Sequence, residues 1–169
     1  MKLLRLVFVL SLLPFATFAQ DTTFLKKQAK RFAEATFKND HETIIALTYP
    51  ALIEMTGGPE MMQKLIGDKI EGLRNRGITK FDGTVGSPGK FYKAGTEIHC
   101  LLPESIILKM KKGHYTGSSY LLAITPNKGK SWWFMDVGNM PADVLHKLLP
   151  NYNNNLVIPA AGKPVYFED

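Results

Sequence analysis

The 169-residue chain is 45% hydrophobic, 21% charged and 11% aromatic, carries a formal net charge of +6 and has a single cysteine. This is the composition of one globular domain, which excludes a multidomain machine, a disordered tail, a collagen-like fibre and a coiled-coil rod. Cys100 alone excludes an intrachain disulfide framework, a zinc ribbon and a Cys-x-x-Cys redox pair, each of which needs two or more thiols.

Residues 1–19, MKLLRLVFVLSLLPFATFA, place Lys2 and Arg5 before an apolar run from Leu6 to Phe15. Thr17-Phe18-Ala19 follows, with small residues at the first and third places before a cut. This is the pattern of a cleaved secretory signal peptide. Pro14 interrupts the run, which also falls short of the roughly 18 residues of a membrane span, so no stable span is expected. The product is expected to be exported, periplasmic or extracellular, and to begin at Gln20. Its 150 residues suffice to bury roughly 68–70% of the unfolded chain's surface. Removing Lys2 and Arg5 leaves 19 basic against 15 acidic residues, and only Arg31, Arg74 and Arg76 are arginines. Scattered lysines suit solubility better than bidentate phosphate or guanine contacts, so no nucleic-acid partner is expected.

In the first half the apolar residues recur at helical spacing. Thr22 to Asn39 carries Leu25, Ala29, Phe32, Ala33, Thr36 and Phe37 on one stripe, the mark of an amphipathic helix. Asp40 is placed as the N-cap of a short helix through Ile44, Ile45 and Leu47 that stops before Pro50. Gly57-Gly58-Pro59 opens another, running through Met61, Met62, Leu65, Ile66, Ile70 and Leu73 to about Asn75, with Gly77 as its left-handed stop.

After Gly77 the pattern changes to strands: Ile78 to Val85, Phe91 to Leu102, Glu104 to Lys112, Thr116 to Thr125 and Ser131 to Val137. They are separated by Gly86-Ser87-Pro88-Gly89, Pro103, Gly113 and Pro126-Asn127-Lys128-Gly129, and connections this short make neighbours antiparallel. Pro141 to Leu149 reads as a small helix. Residues 20–150 are thus one domain, and 151–169 a tail whose Leu156-Val157-Ile158 and Val165-Tyr166-Phe167 are expected to pack on it. Helices first and antiparallel strands after predict an α+β fold, with the N-terminal helices on one face of a curved sheet.

Most chemical motifs fail on spacing. Gly89-Lys90 and Gly129-Lys130-Ser131 lack the first glycine of a phosphate loop, Thr84 and Ile124 standing in its place. His41, His99, His114 and His146 are too far apart for a helical metal pair, so neither a metal nor a cofactor is expected. His99 and Cys100 are adjacent in a strand and therefore point to opposite faces, which prevents them from forming a nucleophilic dyad. Ile98, Cys100 and Leu102, then Ile106, Leu108 and Met110, make one apolar face. Glu97, His99, Lys109 and Lys111 share the other with Leu101 and Ile107. Trp132 and Trp133 put one indole on each side, so apolar surface is left over after the helices are placed. Either the C-terminal tail or a second copy, in a homodimer through the sheet, is expected to cover it.

This order of elements, with Thr48-Tyr49-Pro50, Gly57-Gly58-Pro59 and the closing strand Gly129-Lys130-Ser131-Trp132-Trp133-Phe134-Met135-Asp136, resembles the nuclear-transport-factor-2-like superfamily. That fold is the cone-shaped cystatin-like roll, and the chain more closely resembles its small secreted bacterial members. The resemblance covers about Thr22 to Val137 and implies a cone open between the helices and the concave sheet. Many relatives bind a small apolar molecule there, while ketosteroid isomerase-like and scytalone dehydratase-like members carry out proton transfer. No catalytic motif of an enzymatic relative matches residue by residue, so no catalytic assignment follows.

The leading expectation is a non-enzymatic domain that binds a small apolar or amphipathic ligand, with Tyr49, Met55, Tyr120, Trp132 and Asp136 lining the site. The alternatives are a small isomerase or dehydratase and an interaction module acting through its sheet face. An enzyme would draw its acid or base from Glu54, Asp136, Tyr49, Tyr92, Tyr120 and His99. Asp136 stands out because it ends the strand that carries Trp132 and Phe134 on the same side; its plainer role is to cap the turn at Gly138-Asn139.

Overall fold

The computed structural model describes residues 21–169. The signal peptide expected at 1–19 lies outside them. Four helices come first: α1 (Thr22–Lys38), α2 (His41–Leu47), α3 (Pro50–Met55) and α4 (Pro59–Asn75). The strands are β1 (Lys80–Val85), β2 (Phe91–Ala94), β3 (Glu97–Met110), β4 (Gly113–Thr125) and β5 (Trp133–Asp136), followed by α5 (Ala142–Leu148) and β6 (Gly162–Phe167). The fold is α+β, with the N-terminal helices packed against a strongly curled antiparallel sheet that forms a half-barrel. Among the described residues, no helix is long and apolar enough to cross a membrane.

Local chemistry sets the helix ends. The Asp21 carboxylate accepts from the Phe24 N–H at 2.9 Å and that of Asp40 from the Thr43 N–H at 3.1 Å, satisfying donors that a helix leaves orphaned. Asn39 takes the left-handed conformation (φ 59°) that closes α1. Pro50 ends α2 as expected, but it also opens α3, an element absent from the sequence reading. Its missing N–H costs nothing at the first position of a helix, and Tyr49 before it is extended. The Tyr49 N–H donates to the Phe134 carbonyl at 3.1 Å, which pins this corner to β5.

The sheet corrects the expected strand boundaries. The chain turns at Gly95-Thr96, where Gly95 (φ 63°) heads a two-residue loop of the type that favours glycine first, and then runs unbroken from Glu97 to Met110. Pro103 therefore sits inside β3 rather than ending a strand. Beside it β1 has finished at Val85 and β2 has not begun. The Pro103 carbonyl takes the Gly86 N–H at 2.8 Å, and no ladder acceptor on that side asks for the N–H that proline lacks. As a result Ile98, Cys100, Leu102, Glu104, Ile106, Leu108 and Met110 all face the same way.

Each face of the sheet carries a core. On the concave side Leu25, Ala29, Phe32 and Ile44 meet Cys100, Leu102, Leu121, Ala123, Trp132 and Phe134. On the outer side Leu122, Ile124, Met135 and Val137 meet Leu145, Leu148 and Leu149 of the α5 region and Leu156 of the tail. His99 lies on that side, near the Tyr152 ring, with Cys100 on the inner one. The end of the tail is β6, which pairs with β4 alongside its first half, where β5 does not reach.

Gly113 makes that pairing possible. It has φ 112°, and a Cβ there would stand 2.2 Å from the Phe167 carbonyl oxygen. Gly113→Ala is expected to cost more than about 1 kcal/mol and to release β6. Loss of amide hydrogen-exchange protection across residues 162–167, with protection in β4 and β5 retained, would be the sign.

Candidate functional site

Between the helices and the concave sheet lies a cavity of about 450 Å³, within the roughly 300–1,000 Å³ of small-molecule sites. Its walls are mainly apolar: Phe32 from α1, Ile44 from α2, Met62 and Ile70 from α4, and Leu121 and Phe134 from the sheet. Three charged side chains line it, Lys69, Glu104 and Asp136.

Each reaches the cavity through the periodicity of its element. Lys69 lies three residues after Ile66 and four before Leu73, so it shares their side of α4, and it lines the cavity while the residue as a whole is exposed. Glu104 occupies an inward position of β3, with Leu102 and Ile106 on the same face, and is only 7% exposed. It pairs across the ladder with Ser119 of β4. The buried Ser119 hydroxyl donates to Asp136 Oδ1 at 2.5 Å, and the same oxygen accepts the Gly138 N–H at 3.1 Å. Glycine is required at 138 because a Cβ there would come 2.3 Å from Ser119 Oγ.

Asp136 is thus held by two donors, whereas no hydrogen bond or ion pair reaches the Glu104 carboxyl from any described residue. Burial, reinforced by the negative charge of Asp136 and only partly offset by Lys69, pushes the Glu104 carboxyl up to about 7. Protonated, it can donate to a ligand oxygen; ionised, it can accept from a ligand donor or take up a proton. Beyond Asp136 a second hollow of about 320 Å³ shares Lys69, Ile106, Leu108 and Asp136 with the first. It continues past Ser118 and Ser119 to Asn139 and Lys163, so polar groups line the way out between β5 and β6.

Of the five residues expected to line a site, the structure places Asp136 at the cavity, where it also caps the turn at Gly138. The other four lie elsewhere. Trp132 is 2% exposed and fills the inner core beside Phe91. Tyr49 stands on the outer side at the start of α3, its ring edge-on to Trp133. Its hydroxyl donates to Glu97 Oε1 at 3.1 Å, and burial, with Glu97 beside it, pushes that hydroxyl up to about 12. Tyr120 also faces the outer core, and Met55 ends α3, 47% exposed. Among the other acid or base candidates, Glu54 is exposed on α3, and Tyr92 packs against the outer core. His99 is buried, with Nε2 3.2 Å from Glu97 Oε2, and its burial lowers its affinity for a proton.

Glu104 and Lys69 were overlooked. Breaking the strand at Pro103 made Glu104 look like the start of a new strand. Carried through the proline, the alternation shows one carboxylate inside an otherwise apolar stripe. Lys69 gives the same signal at helical spacing, between Ile66 and Leu73. Among the described residues, no group of three or more His, Cys, Asp or Glu side chains is placed to hold a metal ion. Compared with known proteins, the chain matches no family model, no curated protein and no solved structure.

Proposed function

We propose that the chain is an exported small-ligand-binding domain of the nuclear-transport-factor-2-like kind, in which an apolar or amphipathic molecule occupies the hollow between the helices and the concave sheet. One observation carries this reading: a mainly apolar cavity of about 450 Å³ ends on a buried carboxyl group that has no hydrogen-bond or ion-pair partner among the described residues. Sites for small molecules combine apolar walls with a few polar anchors in this way. The homodimer expected through the sheet finds the outer face already carrying α5 and Leu156. The edge of β6, where Val165, Tyr166 and Phe167 are about half exposed, is one surface that a second copy could use.

Native mass spectrometry of the protein purified gently from its own source tests the proposal. The expected result is a chain lacking residues 1–19 that holds a small molecule lost on denaturation. A chain that is empty, and that stays empty when offered apolar molecules of matching size, would overturn it.

A second reading, proton transfer of the isomerase or dehydratase type, is favoured by the same Glu104. An acid or base is most effective when its pKa lies near the working pH, and this carboxyl is pushed up to about 7 inside an apolar cavity. Of the bases first considered for such a reaction, Asp136 is at the cavity and Glu54 is not.

A further inference from the structure

We infer that the ligand of this cavity is a cation, a small amine on an apolar body, with its ammonium set against the Glu104 carboxylate on the side where Asp136 lies. The inference rests on the ligand-binding reading and narrows it to one chemical class. Lys69, Glu104 and Asp136 are the charged residues that line the cavity, so acids outnumber bases there two to one. Asp136 is served by the Ser119 hydroxyl and the Gly138 N–H, while Glu104, more than nine-tenths buried, is served by none of the described residues. Lys69 forms no ion pair with either carboxylate. A buried carboxylate without a partner is costly, and an ammonium brings both the opposite charge and the N–H donors that are missing. A ligand carboxylate at this position would meet two like charges. The charge of the protein as a whole works against the inference, since a formal net charge of +6 repels a cation from the surface at large. Any preference for an amine must therefore arise locally.

The test is calorimetric titration of the wild-type protein and Glu104→Gln with n-octylamine, n-octanol and n-octanoate at about pH 8. These probes share one apolar body and differ in the head group. Octylamine is expected to bind the wild type about tenfold more tightly than octanol, with octanoate weakest. In Glu104→Gln, the preference for octylamine over octanol should be lost. Equal binding of octylamine and octanol to the wild type would overturn the cationic inference and leave the ligand-binding reading standing. A preference for the amine that survives in Glu104→Gln would overturn the placement at Glu104. If none of the three binds, both the inference and the reading beneath it fall.

Discussion

Glu104→Gln is expected to stabilise the protein by about 3 kcal/mol at pH 8 and to leave its stability nearly unchanged at pH 4. In the folded protein burial, followed by the Asp136 charge, raises this carboxyl from 4.5 to about 7. Between those two values the folded state holds a proton that the unfolded state has released. Stability therefore falls as pH rises through that window, and below it both states are protonated and the penalty vanishes. Glutamine mimics the protonated form at every pH. His99 acts in the opposite direction, because burial favours its neutral form: its contribution is present above 6.5 and is lost as pH falls through its lowered folded value. Since both proteins contain His99, its effect cancels in the difference between them. Asp136→Asn should return part of the penalty by removing the second cause. Urea unfolding of wild type and variant at the two pH values measures the effect. Equal stability at pH 8 would mean that water reaches the carboxylate, and that the cavity does not enclose it.

Phe134→Ala should cost about 3–5 kcal/mol, a large share of the 5–15 kcal/mol that hold an ordinary domain together. Phe134 is fully buried on the concave face of β5, and its ring stacks on Phe32 of α1 with centroids 5.5 Å apart. It joins the sheet to the helices and also forms part of the cavity wall, so removing it leaves a void that the curled sheet cannot close. Val157→Ala in the tail, at a side chain 75% exposed, should change stability by less than about 0.5 kcal/mol. The urea midpoints of the two variants provide the comparison. A Phe134→Ala midpoint close to that of Val157→Ala would mean that this joint between layers contributes little.

The helices other than α3, and the class of the fold, were legible in the sequence because both depend on local chemistry. The bounds of α4 agree with those expected at Pro59 and Asn75, since proline and the apolar spacing act within one segment. The strands were readable as segments but less so as boundaries. Pro103 looks like a strand end to any reading that follows one segment at a time, and its tolerance inside β3 depends on where β1 stops and β2 starts. The candidate site was hidden for the same reason. Tyr49, Tyr120 and Trp132 are the aromatic residues that composition suggests for a ligand site, yet the register of β4 turns Tyr120 outward, the start of α3 holds Tyr49 on the outer side, and Trp132, just before β5, is buried in the inner core.

The sequence by itself determined the α+β order, the capped helices and the alternation that makes β3 and β4 two-faced, because these follow from contacts between residues a few positions apart. Only the tertiary structure decided that Glu104, Asp136 and Lys69 share one cavity, with Ser119 holding Asp136. Each comes from a different element, and their meeting depends on the register of three strands and the seating of α4 across them. The tertiary structure also decided that Glu104 is left without a partner among the described residues, because which side chains reach it depends on contacts through space that leave no mark in the order of residues.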